Sequence, residues 1–263
     1  MNATANGMPT LVLPGMLKKG DTIGLIAPAG PVQNEDDFNN GVKLIRDMGF
    51  QVKYSQTVFR KEGYLAGSDI ERAKALEEML LDPETKALLA VRGGYGTLRI
   101  LPLLNLELFL THRKILIGFS DISVLCTAVL RQTGLLTFHG PMLTTLAACD
   151  RASIEAFFQT LTTRNPASIK TGKLEILIRG AARGPLLGGN LASIVHLLST
   201  RYDLPWQQAI LFFEDVNEQP YRIDRLFTQL KEAGKLDDIA GIILGSFTNC
   251  GAQGQKAFRA AGP

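Results

Sequence analysis

The stretch KILIGFSDIS, residues 114–123, joins a run of β-forming residues to a serine and the start of a helical pattern. Its first half predicts a buried strand, and the pattern over 121–134 predicts a helix. Ser120 therefore falls where a strand ends and a helix begins. A tight turn there exposes a serine hydroxyl and places it beside the free backbone N–H groups of the helix start.

The chain around this stretch alternates between strand and helix patterns. Strands are predicted at 22–30, 50–55, 87–96 and 114–120, and helices at 34–49, 68–81 and 121–134. The helix at 68–81 begins with a capping box, SDIE, and is expected to bury Ile70, Ala73, Leu76 and Leu80. Strands that alternate with helices predict an α/β fold whose parallel sheet carries helices on both faces.

Residues 150–185 are polar and rich in glycine and proline, which is typical of a crossover between domains. We predict an N-terminal domain at 1–165, a linker at 166–185 and a C-terminal domain at 186–263. In the second domain, a glycine turn leads into a helix over 188–200. Strands follow at 209–215 and 239–247, with a helix at 221–234 between them.

Composition excludes several classes of protein. The 263 residues carry a net charge of +3 with a pI near 8.7, and the charges are scattered, so nucleic acid is not an expected partner. Three cysteines without C-x-x-C spacing argue against disulfides and structural zinc. The N-terminus does not resemble a signal peptide, and no apolar run approaches the roughly 20 residues of a membrane span. We expect a cytoplasmic protein.

Ser120 has two interpretations. In a nucleophile elbow it attacks a carbonyl, although Ile122 stands where the G-x-S-x-G pattern has its second glycine. Alternatively, Ser120 or Asp121 merely caps the helix. The nearby RGGYG, residues 92–96, is either a degraded dinucleotide loop or a source of oxyanion-binding N–H groups.

A serine nucleophile requires a base and a carboxylate that orients it. Glu214, at the end of the strand AILFFED, is the carboxylate candidate, with Asp215 and Glu218 as competitors. It is otherwise a surface acid at a strand end. Of three histidines, His112 precedes the fourth strand, at the opposite end from Ser120. His139 lies at a strand end, and His196 is expected to be a packed core residue.

Six motifs together resemble the LD-carboxypeptidases, serine peptidases of peptidoglycan recycling that are related to the microcin C self-immunity peptidases. In chain order they are AVRGGYG, GFSDIS, FHGPM, LLGGNLA, FFEDVNEQPYRIDR and IILGSF. The resemblance runs from about Gly20 to Phe247. It implies two domains, a Rossmann-like parallel sheet followed by a smaller β-rich domain, in a cytoplasmic homodimer.

The resemblance also implies an activity. Family members cleave the amide between an L-configured centre, usually of diaminopimelate or lysine, and the terminal D-alanine of a muropeptide tetrapeptide. They use a Ser–Glu–His triad and neither metal nor cofactor. The nucleophile falls on Ser120 and the glutamate on Glu214. The N–H groups of Gly94 and Asp121 correspond to the oxyanion hole.

The family's histidine lies some tens of residues beyond the strand that matches IILGSF, and this sequence ends at Pro263 without it. We therefore expect a C-terminally truncated chain, with the second domain incomplete. Arg92, beside the glycine loop, is a candidate for binding the substrate's terminal carboxylate, or else a structural residue. Three other functions remain open: a peptidase of microcin-type peptide conjugates, a muropeptide-binding protein without turnover, and a nucleotide binder built on RGGYG.

Overall fold

The computed structural model describes residue 7 and residues 9–164 and 175–251. The strands are β1 (Thr22–Ile26), β2 (Gln51–Lys53), β3 (Thr85–Ala90), β4 (Ile115–Gly118), β5 (Phe138–His139), β6 (Leu186–Asn190), β7 (Ile210–Val216) and β8 (Gly241–Thr248). The α-helices are α1 (Glu35–Asp47), α2 (Asp69–Leu81), α3 (Thr97–Ile100), α4 (Glu107–His112), α5 (Ile122–Thr133), α6 (Leu143–Leu146), α7 (Arg151–Thr162), α8 (Leu191–Val195) and α9 (Pro220–Glu232).

The first sheet has five parallel strands in the order β2-β1-β3-β4-β5. Alternate residues of the strands point to opposite faces of the sheet and belong to two core layers. Leu88 and Leu116 lie in one layer, and Leu89 and Ile117 lie in the other. Helices therefore cover both faces of the sheet, and the predicted α/β architecture is confirmed. The ends of β3, β4 and β5 meet at one edge, which is where parallel sheets bind ligands.

The second, smaller sheet has three parallel strands in the order β6-β7-β8. Its buried residues, including Leu211 and Phe213, form a separate core with residues of α8 and α9. Within the described residues, β8 is an outer strand, and Ile242 to Leu244 are each more than 40% exposed. The predicted domain limits stay a prediction, since residues 165–174 of the crossover and the tail from residue 252 lie outside the described residues.

The glycine turn predicted at Gly188 and Gly189 is wrong, because both glycines lie inside strand β6. Gly188 pairs with Phe212 of β7, whose carbonyl oxygen would be 1.9 Å from any Cβ at Gly188. Both glycines have positive φ, +130° and +142°, which L side chains rarely adopt. The glycines serve close packing rather than a turn.

Helix α2 confirms the predicted capping box. The Ser68 hydroxyl accepts from the Glu71 backbone N–H, and the Glu71 carboxylate accepts from the Ser68 backbone N–H. The predicted burial of Ile70 is wrong, since this residue is 72% exposed. It occupies the first helical turn, before the apolar face meets the sheet. Arg72 is buried instead.

Replacing Ser68 with alanine should lower the free energy of unfolding by about 1 kcal/mol, because the Glu71 backbone N–H loses its side-chain acceptor. Urea denaturation measures this change. Ser68→Asn is the matched control, because asparagine caps helices equally well and should keep the stability of the original protein. Equal losses in both variants would contradict a capping role.

Candidate active site

Ser120 has a left-handed backbone conformation, with φ +59°. Such a conformation is uncommon for a residue with a side chain and costs on the order of 1 kcal/mol or more. Phe119 separates the residue from β4, and Asp121 separates it from α5. A serine held on this turn has the geometry of a nucleophile elbow.

The helix-cap interpretation of this turn fails, because no side chain caps α5. The Asp121 carboxylate accepts instead from the backbone N–H of Thr97, 2.8 Å away, at the start of α3. Burial raises the pKa of Asp121, and the hydrogen bonds from Thr97 partly offset this shift. Asp121 therefore ties the Ser120 turn to the glycine loop that follows β3.

That glycine loop lies against the serine. A Cβ at Gly93 would be 3.0 Å from the Ser120 Oγ, so only glycine leaves the hydroxyl its place. Gly94 has φ +124°, and its neighbour Gly93 accepts from the Gly30 N–H at 3.0 Å. Among the described residues, the backbone N–H groups of Gly94 and Asp121 donate no hydrogen bond. Two free donors therefore flank the serine.

Arg72 fixes these loops and was not foreseen from the sequence, since a helix arginine usually faces solvent. It is 2% exposed, and its guanidinium donates to the carbonyl oxygens of Pro28 and Gly96. It also pairs with the Asp69 carboxylate. One buried side chain thus bridges the loops after β1 and β3.

Arg92 lies at the same edge. Its Nη1 would be 2.5 Å from a Cβ at Gly30, so its guanidinium crosses the loop after β1. Within the described parts of the chain, it forms no ion pair and no hydrogen bond. Its charge is therefore free to meet an anionic group beside the glycine loop.

Glu214 lies on β7, paired with Asn190 of β6, and is 9% exposed. Its Oε1 is buried and has no hydrogen-bond partner among the described residues. Burial, followed by the charge of Asp215, raises the pKa of Glu214, and Asn190 lowers it, so that the pKa is about 7. A carboxylate with an unpaired buried oxygen is suited to receive a donor from a further group.

The competing carboxylates have other partners. Asp215 accepts from the Asn190 side chain at 2.9 Å and from the backbone N–H of Ala192 at 3.0 Å, so it fixes the start of α8. Glu218 lies 3.6 Å from Arg222 of α9. Glu218 Oε2 also lacks a hydrogen-bond partner among the described residues, but Glu218 has an arginine partner, whereas Glu214 lies 3.7 Å from His139 and has no arginine or lysine partner in the same part of the chain. Glu214 is therefore the candidate acid of this group.

The three histidines occupy very different places. His112 is exposed at the end of α4, away from the site, as predicted. His196 is exposed at the end of α8, so its predicted place in the core is wrong: α8 ends at Val195, and its apolar face does not extend to the histidine. His139 ends β5, and its Nε2 lies 3.7 Å from the Glu214 Oε1.

Contacts across the two sheets bring Glu214 to the edge that carries Ser120. Ser123 of α5 accepts a hydrogen bond through its Oγ from the Asn190 backbone N–H at 3.2 Å. The His139 ring packs between Phe119 and Phe212, at centroid distances of 6.1 and 5.4 Å. Ser123 was missed because its role appears only once the second sheet docks.

The edge therefore combines a strained serine, two free N–H donors and a buried carboxylate from the second sheet. These are the parts of a serine hydrolase site on an α/β sheet. Within the described residues, no group of three or more His, Cys, Asp or Glu side chains is placed to hold a metal ion. In the same part of the chain, no helix has both the length and the apolar character to cross a membrane.

Comparisons with known proteins agree with this class. The LD-carboxypeptidase N-terminal domain family matches residues 23–140, and the C-terminal domain family matches residues 183–261. A probable murein peptide carboxypeptidase of Bacillus subtilis (strain 168) is 42% identical over 243 residues, which is 90% of this chain and 75% of the relative. The chain belongs to the LD-carboxypeptidase family, and its relatives support carboxypeptidase activity.

Solved structures show the same fold. The Microcin C7 self-immunity protein MccF in complex with aspartyl sulfamoyl adenosine matches with a TM-score of 0.84 and 26% identity, over 95% of this chain and 84% of that one. A muramoyltetrapeptide carboxypeptidase from Oxalobacter formigenes matches with a TM-score of 0.75 and 28% identity. The latter match covers 88% of this chain and 78% of the other.

Replacing Gly93 with alanine should lower the rate of any Ser120-dependent reaction by on the order of 100-fold, because the new methyl group displaces the serine side chain. The turnover number measures the effect. Gly140→Ala is the control: a Cβ there would meet its nearest neighbours at 3.8 Å, an ordinary contact. A Gly93→Ala protein with unchanged turnover would place the reacting atom elsewhere.

Replacing Glu214 with glutamine should change how stability depends on pH. The folded-state pKa, about 7, lies above the ordinary 4.5, so the contribution of Glu214 is complete below pH 4.5 and is lost as the pH rises through 7. The advantage of the glutamine variant should therefore grow between pH 5 and 8, by at most about 3 kcal/mol.

Urea denaturation at each pH measures the difference in the free energy of unfolding between the two proteins. Both proteins contain His139, so its titration largely cancels in this difference. Glu232→Gln, at an exposed position in α9, is the control and should show no such growth. Parallel stability curves for the Glu214→Gln and original proteins would contradict the raised pKa.

Proposed function

We propose that this protein is a serine-type LD-carboxypeptidase that hydrolyses the amide between an L-configured centre and the terminal D-alanine of muropeptide tetrapeptides. The observation that carries the proposal is the conformation of Ser120, at φ +59° between β4 and α5, against Gly93. The family assignment supplies the bond that is cleaved. Ser120 is the nucleophile.

The reaction proceeds by acyl transfer. Ser120 Oγ attacks the amide carbonyl, and its proton passes to a base. The negative charge on the tetrahedral oxygen is stabilised by the N–H groups of Gly94 and Asp121, which have no other acceptor among the described residues. The base then protonates the departing D-alanine amine, and water hydrolyses the acyl-enzyme.

Glu214 orients the base through its unpaired Oε1 or the neighbouring oxygen. In the family the base is a histidine located after the strand that corresponds to β8, and none of the three histidines of this sequence has that position. We propose that full activity requires this further histidine. Loss of the base costs on the order of a million-fold in the best-measured serine protease.

Arg92 binds the free carboxylate of the terminal D-alanine. A carboxypeptidase must recognise this group, and a guanidinium forms bidentate hydrogen bonds with it. Support comes from the position of Arg92 beside the loop of Gly30 and Gly94, and from its lack of another partner among the described residues. The enzyme requires no cofactor and acts in the cytoplasm as a homodimer, as its resemblance to the family implies.

A second candidate is a peptidase for peptide–nucleotide conjugates. The observation that favours it is the TM-score of 0.84 to the microcin self-immunity protein in complex with aspartyl sulfamoyl adenosine. Two non-enzymatic candidates stand behind it: a muropeptide-binding protein and a nucleotide binder that uses residues 92–96. The latter lacks a third glycine, because Arg99 stands there.

Release of D-alanine from a muropeptide tetrapeptide tests the proposal. Three proteins are compared: this chain, its Ser120→Ala variant, and this chain extended with the C-terminal segment of a relative. The extended protein should release D-alanine, Ser120→Ala in that protein should lower the rate by at least about 10⁴-fold, and the unextended chain should be nearly inactive.

The remaining candidates give different results. Cleavage of aspartyl sulfamoyl adenosine without D-alanine release favours the conjugate peptidase. Tight muropeptide binding without cleavage by the extended protein favours a binding protein. Binding of a nicotinamide cofactor in a titration favours the nucleotide binder. Each of these results would contradict the proposed carboxypeptidase.

A further inference from the structure

The end of β5 places His139 at the junction of the two sheets. Its backbone pairs with Gly118 of β4, and its ring contacts Phe212 of β7. A Cβ at Gly189 of β6 would be 3.2 Å from its Nδ1, so the glycine leaves space for the imidazole. The ring therefore contacts both sheets, while the residue itself is exposed and 27% of its side chain is open to solvent.

Among the described residues, the ionisable partner of the His139 ring is Glu214. The His139 Nε2 and the Glu214 Oε1 are 3.7 Å apart, slightly beyond hydrogen-bond distance. This Oε1 is the buried carboxylate oxygen that has no partner among the described residues. Leaving a buried acceptor unpaired is unfavourable, so a small side-chain rotation that closes the gap would be stabilising.

His139 ends one strand of the first sheet, and Ser120 follows another. The Ser120 side chain lies against Gly93, which follows β3, whereas His139 belongs to β5 on the opposite side of β4. The ring contacts Phe119, the residue before the serine. No hydrogen bond joins His139 to Ser120 in the described structure, which separates this histidine from the role of base.

We propose that His139 is a positioning residue whose Nε2–H donates to the Glu214 Oε1, holding the carboxylate so that its second oxygen remains for the catalytic base. The proposed hydrogen bond is argued from the proximity of the two side chains, and its catalytic consequence rests on the proposed function. His139 acts through Glu214 and does not touch the substrate.

The protonation of the pair agrees with this arrangement. Removal from water lowers the pKa of His139 to about 4, so the ring is neutral at physiological pH and can carry its proton on Nε2. The same cause raises the pKa of Glu214 to about 7. The other groups that act on the Glu214 carboxyl are Asp215, which raises its pKa, and Asn190, which lowers it.

Carbon-13 NMR of glutamate side chains measures the contact without requiring activity, with the Glu214 signal assigned by its loss in Glu214→Gln. In His139→Leu the donor is gone, and the pKa of Glu214 should rise by about one unit. In His139→Gln an N–H donor remains, and the rise should be less than half as large. His196→Leu, an exposed control, should leave the pKa unchanged.

Turnover in the extended protein adds a second readout. His139→Leu should lower kcat by on the order of 100-fold with little change in KM, and should move the acidic limb of the kcat–pH profile to higher pH. His139→Gln should recover most of the rate. An unchanged Glu214 pKa in His139→Leu would overturn the proposal, as would a His139→Gln protein as inactive as Ser120→Ala, which would make His139 the base.

The two proposals fail separately. If the Glu214 pKa responds as expected while no L–D peptide is cleaved by the extended protein, the positioning contact stands and the carboxypeptidase proposal fails. If cleavage depends on Ser120 and the pKa of Glu214 is the same in His139→Leu as in the original protein, the carboxypeptidase proposal stands and the positioning role fails.

Discussion

The left-handed backbone of Ser120 is the constraint on which the site depends. A serine does not keep φ +59° without support, because the conformation costs free energy that the surroundings must offset. The support comes from both sides of the turn: Asp121 hydrogen-bonds to Thr97, and α5 continues the chain into the core. The absence of a side chain at Gly93 then leaves space for the hydroxyl.

The adjacent carboxylates of β7 are both buried, but they differ in how completely their oxygens are hydrogen-bonded. Asp215 is buried, as Glu214 is, but its carboxylate accepts hydrogen bonds from the Asn190 side chain and the Ala192 N–H. It therefore stabilises the start of α8 and is structural. Glu214 keeps one buried oxygen unpaired and has a raised pKa. Burial alone therefore does not identify a candidate acid: an unpaired buried oxygen distinguishes Glu214 from Asp215, and the ion pair with Arg222 distinguishes Glu218 from Glu214.

Local patterns predicted the elements well, because strand and helix periodicities reflect burial within a single element. The capping box of α2 and the serine at the end of β4 were both visible in the sequence. The failures concern contacts between distant segments. The sequence pattern of Gly188 and Gly189 predicts a turn, because it does not show that β7 packs against these glycines. The roles of Arg72 and Ser123 depend on contacts with segments that are distant in the sequence.

The site was predicted in part for the same reason. Asp121 follows Ser120 directly in the sequence, and Gly94 follows Gly93, where a Cβ would lie 3.0 Å from the Ser120 Oγ. Glu214 belongs to the second sheet, which contacts α5 through the hydrogen bond between Asn190 and Ser123. The contact between His139 and Glu214 joins residues 75 positions apart and has no local signal. Sequence patterns therefore identified candidates, and the structure adds the contacts that distinguish the competing acids and histidines.

The central claim is that Ser120 forms the covalent intermediate. A diphenyl phosphonate analogue of an L–D dipeptide, incubated with the extended protein, should form one adduct, in which the serine oxygen displaces phenol from phosphorus. Mass spectrometry should find this adduct on Ser120 within the tryptic peptide 115–131. The adduct should be absent from Ser120→Ala. An adduct on another residue, or one that persists in Ser120→Ala, would contradict the account.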